Sequence, residues 1–153
     1  MASVLSRINT DHTDSVNDVQ VNYHGTRLAT CSSDRLIKVF DLKPTGQSTL
    51  MAELAEHNGP VWKIAWAHPQ FSNVFASAGY DKKVVVFSEE NGRWKKIHEY
   101  TGHEASVNDA AFAPHQHGLV LATASADGTV AILTFNVLKT NYTTQIIHDA
   151  HDQ

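Results

Sequence analysis

The sequence has almost no cysteine and no long apolar run, which excludes disulfide-stabilised folds and membrane-spanning helices. It has one cysteine, Cys31, in 153 residues, so an internal disulfide framework is excluded and a reducing compartment is favoured. No apolar run approaches the roughly 20 residues of a membrane-spanning helix, and the first residues lack the apolar region of a signal peptide. We therefore expect a protein of the cytosol or nucleus that reaches membranes only through partners.

Basic residues are also too few and too scattered for a nucleic-acid-binding surface. The chain has 12 Lys and Arg against 16 Asp and Glu, and its net charge is -4. Proteins that bind nucleic acid need a basic stripe that neutralises a row of phosphates. We therefore expect no direct contact with nucleic acid.

Three internal repeats organise the chain. Each repeat opens with the phrase His-x-x-x-Val, which recurs at intervals of 45 and 46 residues. Each continues with an apolar residue, Ala, a hydroxyl residue and, four positions later, Asp. A large apolar residue, Phe40, Phe87 or Leu133, follows six positions beyond each Asp. The opening histidines, the hydroxyl residues and the aspartates are His12, Thr30 and Asp34; His57, Ser77 and Asp81; and His103, Thr123 and Asp127.

Each repeat contains four short predicted strands. Runs of about six residues with apolar ends, such as Val61–Trp66 and Val107–Phe112, are too short for helices. The second strand surrounds the hydroxyl residue, the third ends at the large apolar residue, and the fourth precedes the next histidine, as in Tyr142–Ile147. Pro44–Gly46 and Glu89–Gly92 are typical of turns between the third and fourth strands. Four strands in roughly 40 to 45 residues predict one blade of a β-propeller.

These motifs resemble those of the WD-repeat family. Gly102-His103 matches the opening dipeptide of the family, and Phe40-Asp41 keeps only the acid of its closing Trp-Asp. Within the family, Gly25–Asp34 and Gly59–Pro69 are similar to the six-bladed propeller subunits shared by the COPII outer vesicle coat and the Y-complex of the nuclear pore. The resemblance implies an all-β fold, namely a partial β-propeller of three four-stranded antiparallel blades. This would be the amino-terminal half of a six-bladed propeller.

The predicted organisation is one partial propeller over residues 1–153. Its first ten residues would contain an amino-terminal strand, Val4 to Ile8, in the outermost position of a blade whose other strands this chain lacks. The predicted segments are residues 1–10, a first blade at 11–56, a second at 57–102, a third at 103–148, and the start of a missing fourth blade at 149–153.

The repeated His, hydroxyl and Asp residues superficially resemble a hydrolytic triad. The likeness to WD-repeat blades implies a structural network instead, in which the His bonds the Asp of a tight turn and is linked to the hydroxyl of the second strand. Three copies of one network are typical of a repeated scaffold, whereas an enzyme needs one asymmetric site. We therefore expect no catalytic residue, no cofactor and no enzymatic activity.

Other histidines and two tryptophans are candidates for binding sites. The close pairs His115 with His117 and His148 with His151 have no Cys or carboxylate partner at zinc-ligand spacing, so we expect no metal. Trp62 and Trp66 alternate within one inner strand. They either fill the wedge between blades, which is the interpretation we favour, or anchor a peptide on the top face.

The resemblance implies a non-enzymatic scaffold subunit. It would serve the COPII outer coat in transport from the endoplasmic reticulum to the Golgi, and also the nuclear pore complex. Its location would be the cytoplasmic side of the endoplasmic reticulum, COPII vesicles and the nuclear envelope. Two alternatives stay open, a WD-repeat adaptor that binds a short peptide and a truncated fragment without independent function.

The partner implied by the resemblance is an α-solenoid protein of a coat or nuclear pore that donates a β-blade beside the first blade. The apolar residues of Val16–Val21 and Ile37–Phe40 would face that blade, with Ile37 and Phe40 as main contributors. Val4 and Ile8 would lie in the adjoining strand. Self-association through uncovered blade faces is a further expectation.

Overall fold

Three four-stranded antiparallel sheets make up the computed structural model, which describes residues 6–136 and 141–148. The strands of each sheet lie side by side in chain order. The first sheet contains β1 (Val16–Val21), β2 (Arg27–Ser32), β3 (Ile37–Leu42) and β4 (Ser48–Leu54). The second contains β5 (Val61–Trp66), β6 (Val74–Gly79), β7 (Val84–Glu90) and β8 (Arg93–Tyr100). The third contains β9 (Val107–Phe112), β10 (Val120–Ser125), β11 (Val130–Phe135) and β12 (Tyr142–Ile147).

The three sheets are successive blades of a propeller. Their first strands, β1, β5 and β9, lie next to one another, and the second blade packs between the other two. The arrangement is open and does not form a closed ring. The predicted partial propeller of three four-stranded antiparallel blades is therefore confirmed.

Apolar contacts between blades form the core. Successive side chains of a strand point to opposite sides of the sheet, so every blade has two faces. We call the face that packs on the following blade the forward face, and the face that packs on the preceding blade the rear face. The forward face of the first blade joins the rear face of the second in one cluster: Ala29, Cys31, Ile37 and Val39 with Val61, Ile64, Phe75, Val85 and Phe87.

A second cluster repeats this contact between the second and third blades. Val74, Ala76, Ala78, Val84 and Val86 of the second blade pack on the rear face of the third, and all five are buried. Burial of one of these valine side chains contributes about 1.5 to 3 kcal/mol relative to its exposed state. The blades are thus held together mainly by their apolar faces.

The forward face of the third blade is only partly covered. Ala122, Ala124, Val130 and Ile132 occupy the positions of the fully buried forward residues of the other two blades, but each is half-buried. No blade among residues 6–136 and 141–148 packs on this face.

The hairpin between β7 and β8 is shorter than the sequence predicts. β7 extends through Glu89 and Glu90, and only Asn91 and Gly92 form the turn, with φ angles of 54° and 76°. Two central residues with positive φ define the tight type I′ turn, which Asn-Gly favours and which continues the strand ladder up to its ends. The two glutamates therefore belong to the strand.

The amino-terminal segment does not form the predicted strand in its described part. Val4 lies outside the described residues, and residues 6–10, which include Ile8, belong to none of the three sheets. The backbone of these described residues pairs with no strand of the three sheets. The segment is held differently, because Lys38 Nζ donates to the carbonyl oxygens of Thr10 (2.8 Å) and Asp11 (3.1 Å).

Candidate functional site

The structure brings the nine repeated His, hydroxyl and Asp residues together in three equivalent networks. In each network, the Nδ1 atom of His lies against the Asp carboxylate and Nε2 lies against the hydroxyl oxygen of the second strand. For the first blade, both distances are 2.8 Å, from His12 to Asp34 and to Thr30. The corresponding distances are 3.0 Å (His57 to Asp81) and 2.7 Å (His57 to Ser77), then 3.1 Å (His103 to Asp127) and 2.8 Å (His103 to Thr123).

Each carboxylate also ties two loops of its blade together. Asp81 accepts the backbone N–H of Asn58 at 2.8 Å, in the loop before the inner strand, and that of Lys83 at 3.2 Å, in its own turn. Burial alone would raise the pKa of such a carboxylate, but the hydrogen bonds that it accepts outweigh burial. The pKa values of Asp34, Asp81 and Asp127 are therefore all below the ordinary 3.8.

The networks have the order of groups found in a hydrolytic triad, but the hydroxyls are inaccessible. Thr30, Ser77 and Thr123 are at most 2% exposed. Ser77 Oγ also lies within hydrogen-bond distance (3.4 Å) of the carbonyl oxygen of Val85. A nucleophile has to reach the substrate, and these buried hydroxyls cannot do so. Each network connects the second strand of its blade to two loops.

The two tryptophans of β5 connect neighbouring blades. Trp66 Nε1 donates to the carbonyl oxygen of Gln20 in the first blade at 2.9 Å, and Trp62 Nε1 donates to Ser106 Oγ at the third blade at 3.0 Å. Each indole thus lies between blades with its polar atom satisfied, as expected of a residue that fills the wedge.

Apolar residues of the inner strand β1 are exposed on the rear face of the first blade. Val16 and Val19 of β1 are 47% and 51% exposed, whereas their counterparts Val61 and Ile64 in β5 are 0% and 1% exposed. The first blade covers Val61 and Ile64, but nothing in the described part of the chain covers the equivalent residues of β1. We name Val16, Val19 and Val21, which is 50% exposed, the β1 patch.

The structure places Phe40 on the predicted face of the first blade but Ile37 on the opposite face. Ile37 is fully buried in the contact with the second blade, on the forward face, so it does not lie on the surface open to a partner. Phe40 has the rear-face position but is only 5% exposed. Ile8 is half-buried, and Val4 lies outside the described residues. Among the residues predicted to face the partner, those of β1 are the exposed ones.

Sequence reasoning missed a polar contact between β1 and the second blade. Asp18 Oδ2 accepts the backbone N–H of Ile64 at 3.0 Å and lies 3.8 Å from Lys63 Nζ. Asp18 and Lys63 occupy equivalent repeat positions, since they pair with Cys31 and Ala78. Opposite charges at one repeat position in neighbouring blades could have indicated this contact.

The remaining histidines form no metal site among residues that the structure describes, where no group of three or more His, Cys, Asp or Glu is placed to hold a metal ion. His115 stacks on His68 with ring centroids 4.0 Å apart. Burial, and then the neighbouring His115 and His24, lower the pKa of His68. His117 and His148 are exposed, and His151 lies outside the described residues. The described residues also contain no helix that is long and apolar enough to cross a membrane.

Comparison with known families agrees with the blade architecture. The model of the family described as "WD domain, G-beta repeat" matches residues 4–41, 48–88 and 94–132. The second and third matches begin at the outermost strand of one blade and continue into the next. One sequence repeat therefore contains the outermost strand of one blade and the inner three strands of the following blade. The chain belongs to the WD-repeat family.

Curated proteins that are similar to this chain are named SEC13 homologues or protein transport proteins. The chain is 52% identical to "Protein SEC13 homolog" of Caenorhabditis briggsae, over 100% of this chain and 50% of that protein. It is 44% identical to the Drosophila melanogaster protein of the same name, over 99% of this chain and 42% of that protein. It is 44% identical to "Protein transport protein SEC13" of Mycosarcoma maydis, over 84% of this chain and 42% of that protein. The chain spans about half the length of these curated relatives.

Proposed function

We propose that this chain is a non-enzymatic scaffold subunit of protein transport, and that a rod-like partner docks a donated β-blade on the rear face of its first blade. The observation that carries the proposal is the exposure of the β1 patch. Val16 and Val19 are about half exposed at positions where the other two blades have fully or almost fully buried residues, Val61 with Ile64 and Val107 with Ala110. A sheet packed there would bury them as the first blade buries Val61.

Burial of the β1 patch would favour binding of the donated blade. Covering the exposed part of three valines would contribute roughly 1 kcal/mol each, on the scale of about 25 cal/mol per Å² of apolar surface. The strands of the donated blade would pair with one another, so that its backbone groups stay hydrogen-bonded in the complex. An α-solenoid rod that supplies such a blade would gain a rigid end from the propeller.

The names of the relatives support a role in protein transport. Two of the three relatives described above are named as homologues of the transport protein SEC13, and the third is named as a protein transport protein. These names support protein transport as the setting. Within it we propose the COPII outer coat between the endoplasmic reticulum and the Golgi, with a second role in the nuclear pore complex, as the resemblance of the repeat motifs implies. Recruitment to either membrane would come from partners.

A scaffold role also accounts for the buried networks better than hydrolysis does. Ser77 is 0% exposed, so an incoming acyl or phosphoryl group has no access to its hydroxyl. The same cluster occurs in all three blades, where it fastens loops to strands. We therefore propose no enzymatic activity.

Co-purification with the strand-donating segment of a coat or nuclear pore rod protein tests the proposal. Val19→Asp places a charge at the centre of the β1 patch and is expected to abolish co-purification, because a carboxylate cannot be buried there without a partner. Tyr80→Asp is the control, since Tyr80 is also an exposed apolar residue (61%) but lies in the turn after β6 of the second blade, away from the rear face of the first. It is expected to leave binding unchanged. Wild-type protein that retains no such segment, or Val19→Asp protein that binds it normally, would exclude the proposed site.

A further inference from the structure

The outermost strands β4, β8 and β12 each have one edge without a partner strand among the described residues. Such an edge displays backbone N–H and C=O groups that can pair with a strand of another chain. Proteins usually guard such edges with bulges, charges or short strands. The three outer strands differ in how well they are guarded.

Bulges interrupt the first two outer strands. The pairing of β3 with β4 shifts between Val39 and Phe40, whose partners are Ala52 and Leu50, so Met51 is left out of the register. The pairing of β7 with β8 shifts in the same way and leaves out Ile97. A bulge bends and twists a strand, which disfavours a further strand beside it. β8 is also protected by charge, because it contains Arg93, Lys95 and Lys96.

The third outer strand has neither guard. β12 pairs with β11 in six consecutive registers, from Val130 with Ile147 to Phe135 with Tyr142, without a shift. Its sequence, Tyr-Thr-Thr-Gln-Ile-Ile, contains no charge, no proline and no glycine, and four of its six residues are β-branched. This composition is the signature of segments that pair with copies of themselves.

β12 is also firmly held and accessible. Tyr142 and Ile146 pack against the apolar cluster between the second and third blades, and Tyr142 Oη donates to the carbonyl oxygen of Glu99 at 3.4 Å. Thr143, Thr144 and Gln145 are exposed. The strand therefore presents a straight, ordered edge to solvent, and pairing would require little further ordering of the chain.

We propose that β12 pairs antiparallel with β12 of a second copy of this chain and joins two third blades into one continuous sheet. A twofold contact of this kind requires a strand that accepts itself, and an uncharged strand pairs with its own copy without repulsion. A charged strand from another protein would find no opposite charge on β12. The contact lies away from the β1 patch, so it is independent of the proposed partner docking.

Sedimentation equilibrium of the whole chain over a range of concentrations tests the pairing. We expect wild-type protein to dimerise and the double variant Thr143→Lys, Gln145→Lys to dimerise at least about tenfold more weakly, because like charges then meet across the new strand pair. The double variant Thr49→Lys, Leu50→Lys is the matched control, since it adds the same charge to exposed positions of the bulged strand β4. It is expected to dimerise like wild type.

Hydrogen exchange of the wild-type protein gives a second measurement that does not depend on folding of a variant. The backbone amides of Tyr142–Ile147 are expected to gain protection as protein concentration rises, while those of the outer strand β8 do not. Three results would overturn the proposal: a monomer at every concentration, a dimer indifferent to the lysines on β12, or equal weakening by the control variant. The second result would indicate association through the blade faces instead.

Discussion

Arg27 and Glu89 form a bidentate ion pair that connects the first blade to the second. Arg27 Nε and Nη2 donate to the two carboxylate oxygens of Glu89 at 2.7 and 3.1 Å, and Nη1 donates to Asp41 Oδ1 at 2.6 Å. The side chains of Arg27 and Glu89 are 18% and 13% exposed. The hydrogen bond to Glu89 is the main cause of the raised pKa of Arg27. Apolar burial between these blades is therefore supplemented by a directional polar contact at the rim of the interface.

Arg27→Ala is expected to lower the free energy of unfolding by about 2 kcal/mol, because the carboxylates of Glu89 and Asp41 lose a charged donor in a partly buried site. Arg27→Lys should have a free energy of unfolding between those of the wild type and Arg27→Ala, since lysine keeps the charge but cannot form the bidentate contact. The midpoint of urea unfolding measures both. Lys95→Ala is the control, because Lys95 and its partner Glu90 are each 60% exposed. It is expected to change stability by less than about 0.5 kcal/mol.

Asp127→Ala is expected to cost about 1 to 3 kcal/mol of stability. The change removes the acceptor of His103 Nδ1 (3.1 Å), of the Glu104 backbone N–H (2.9 Å) and of the Thr129 hydroxyl (2.6 Å). The urea midpoint should fall while binding to a partner persists in the folded protein. Asp109→Ala on the exposed side of β9 provides the comparison and should leave the midpoint near wild type. An unchanged midpoint together with lost binding would indicate a functional role for Asp127.

The same carboxylates predict a loss of stability in acid. The pKa values of Asp34, Asp81 and Asp127 are lower in the folded protein than the ordinary 3.8, so folding favours their ionised forms. Their contribution is complete above pH 3.8 and is lost as the pH falls through the folded-state pKa values. Urea midpoints measured between pH 5 and pH 2 should therefore decline, less steeply in Asp127→Asn protein. Parallel curves for the two proteins would contradict this linkage.

The repeats predicted strands well because their signal is local. The predicted bounds of β5, β9 and β12 agree with the structure, since each strand is a short run bounded by turn residues. The orientation of Ile37 could not be predicted in the same way. The alternation of side chains along β3 places Ile37 and Lys38 on opposite faces, but it does not show which of the two faces packs on the following blade. That choice depends on how sheets pack in three dimensions.

The site was predictable where repeats could be compared with one another. Aligning β1 with β5 and β9 indicates that Val16 and Val19 occupy core positions, and the repeat register also predicted that Val16–Val21 would face a donated blade. The structure adds that Val16 and Val19 are about half exposed. The pairing of Arg27 with Glu89 had no such signal, because the residues that replace Arg27 in the other blades, Val74 and Val120, are apolar. Comparison between the repeats therefore did not indicate this pair.

One glycine distinguishes the second network from the other two. A Cβ atom on Gly79 would stand 2.6 Å from His57 Nδ1 and 2.7 Å from Asp81 Oδ1. The equivalent positions are Ser32 and Ser125, which already carry a Cβ atom. Their hydroxyl oxygens accept the backbone N–H of the aspartate two residues later, at 3.0 and 3.1 Å. The network of the second blade is therefore packed directly against its own backbone.

Gly79→Ala is consequently expected to lower the free energy of unfolding by about 1 to 3 kcal/mol, because His57 and Asp81 must move from a buried hydrogen-bonded arrangement to make room. Ser125→Ala is the matched comparison in the third blade: it keeps the Cβ atom, removes the two hydrogen bonds of the hydroxyl, from the Asp127 N–H and to the Ala105 carbonyl oxygen, and should cost about 1 to 2 kcal/mol. Urea unfolding ranks the two variants, and the imidazole resonances of His57 report whether the ring has shifted. A Gly79→Ala protein as stable as wild type would show that the second network can rearrange without cost, which the close contacts of Gly79 argue against.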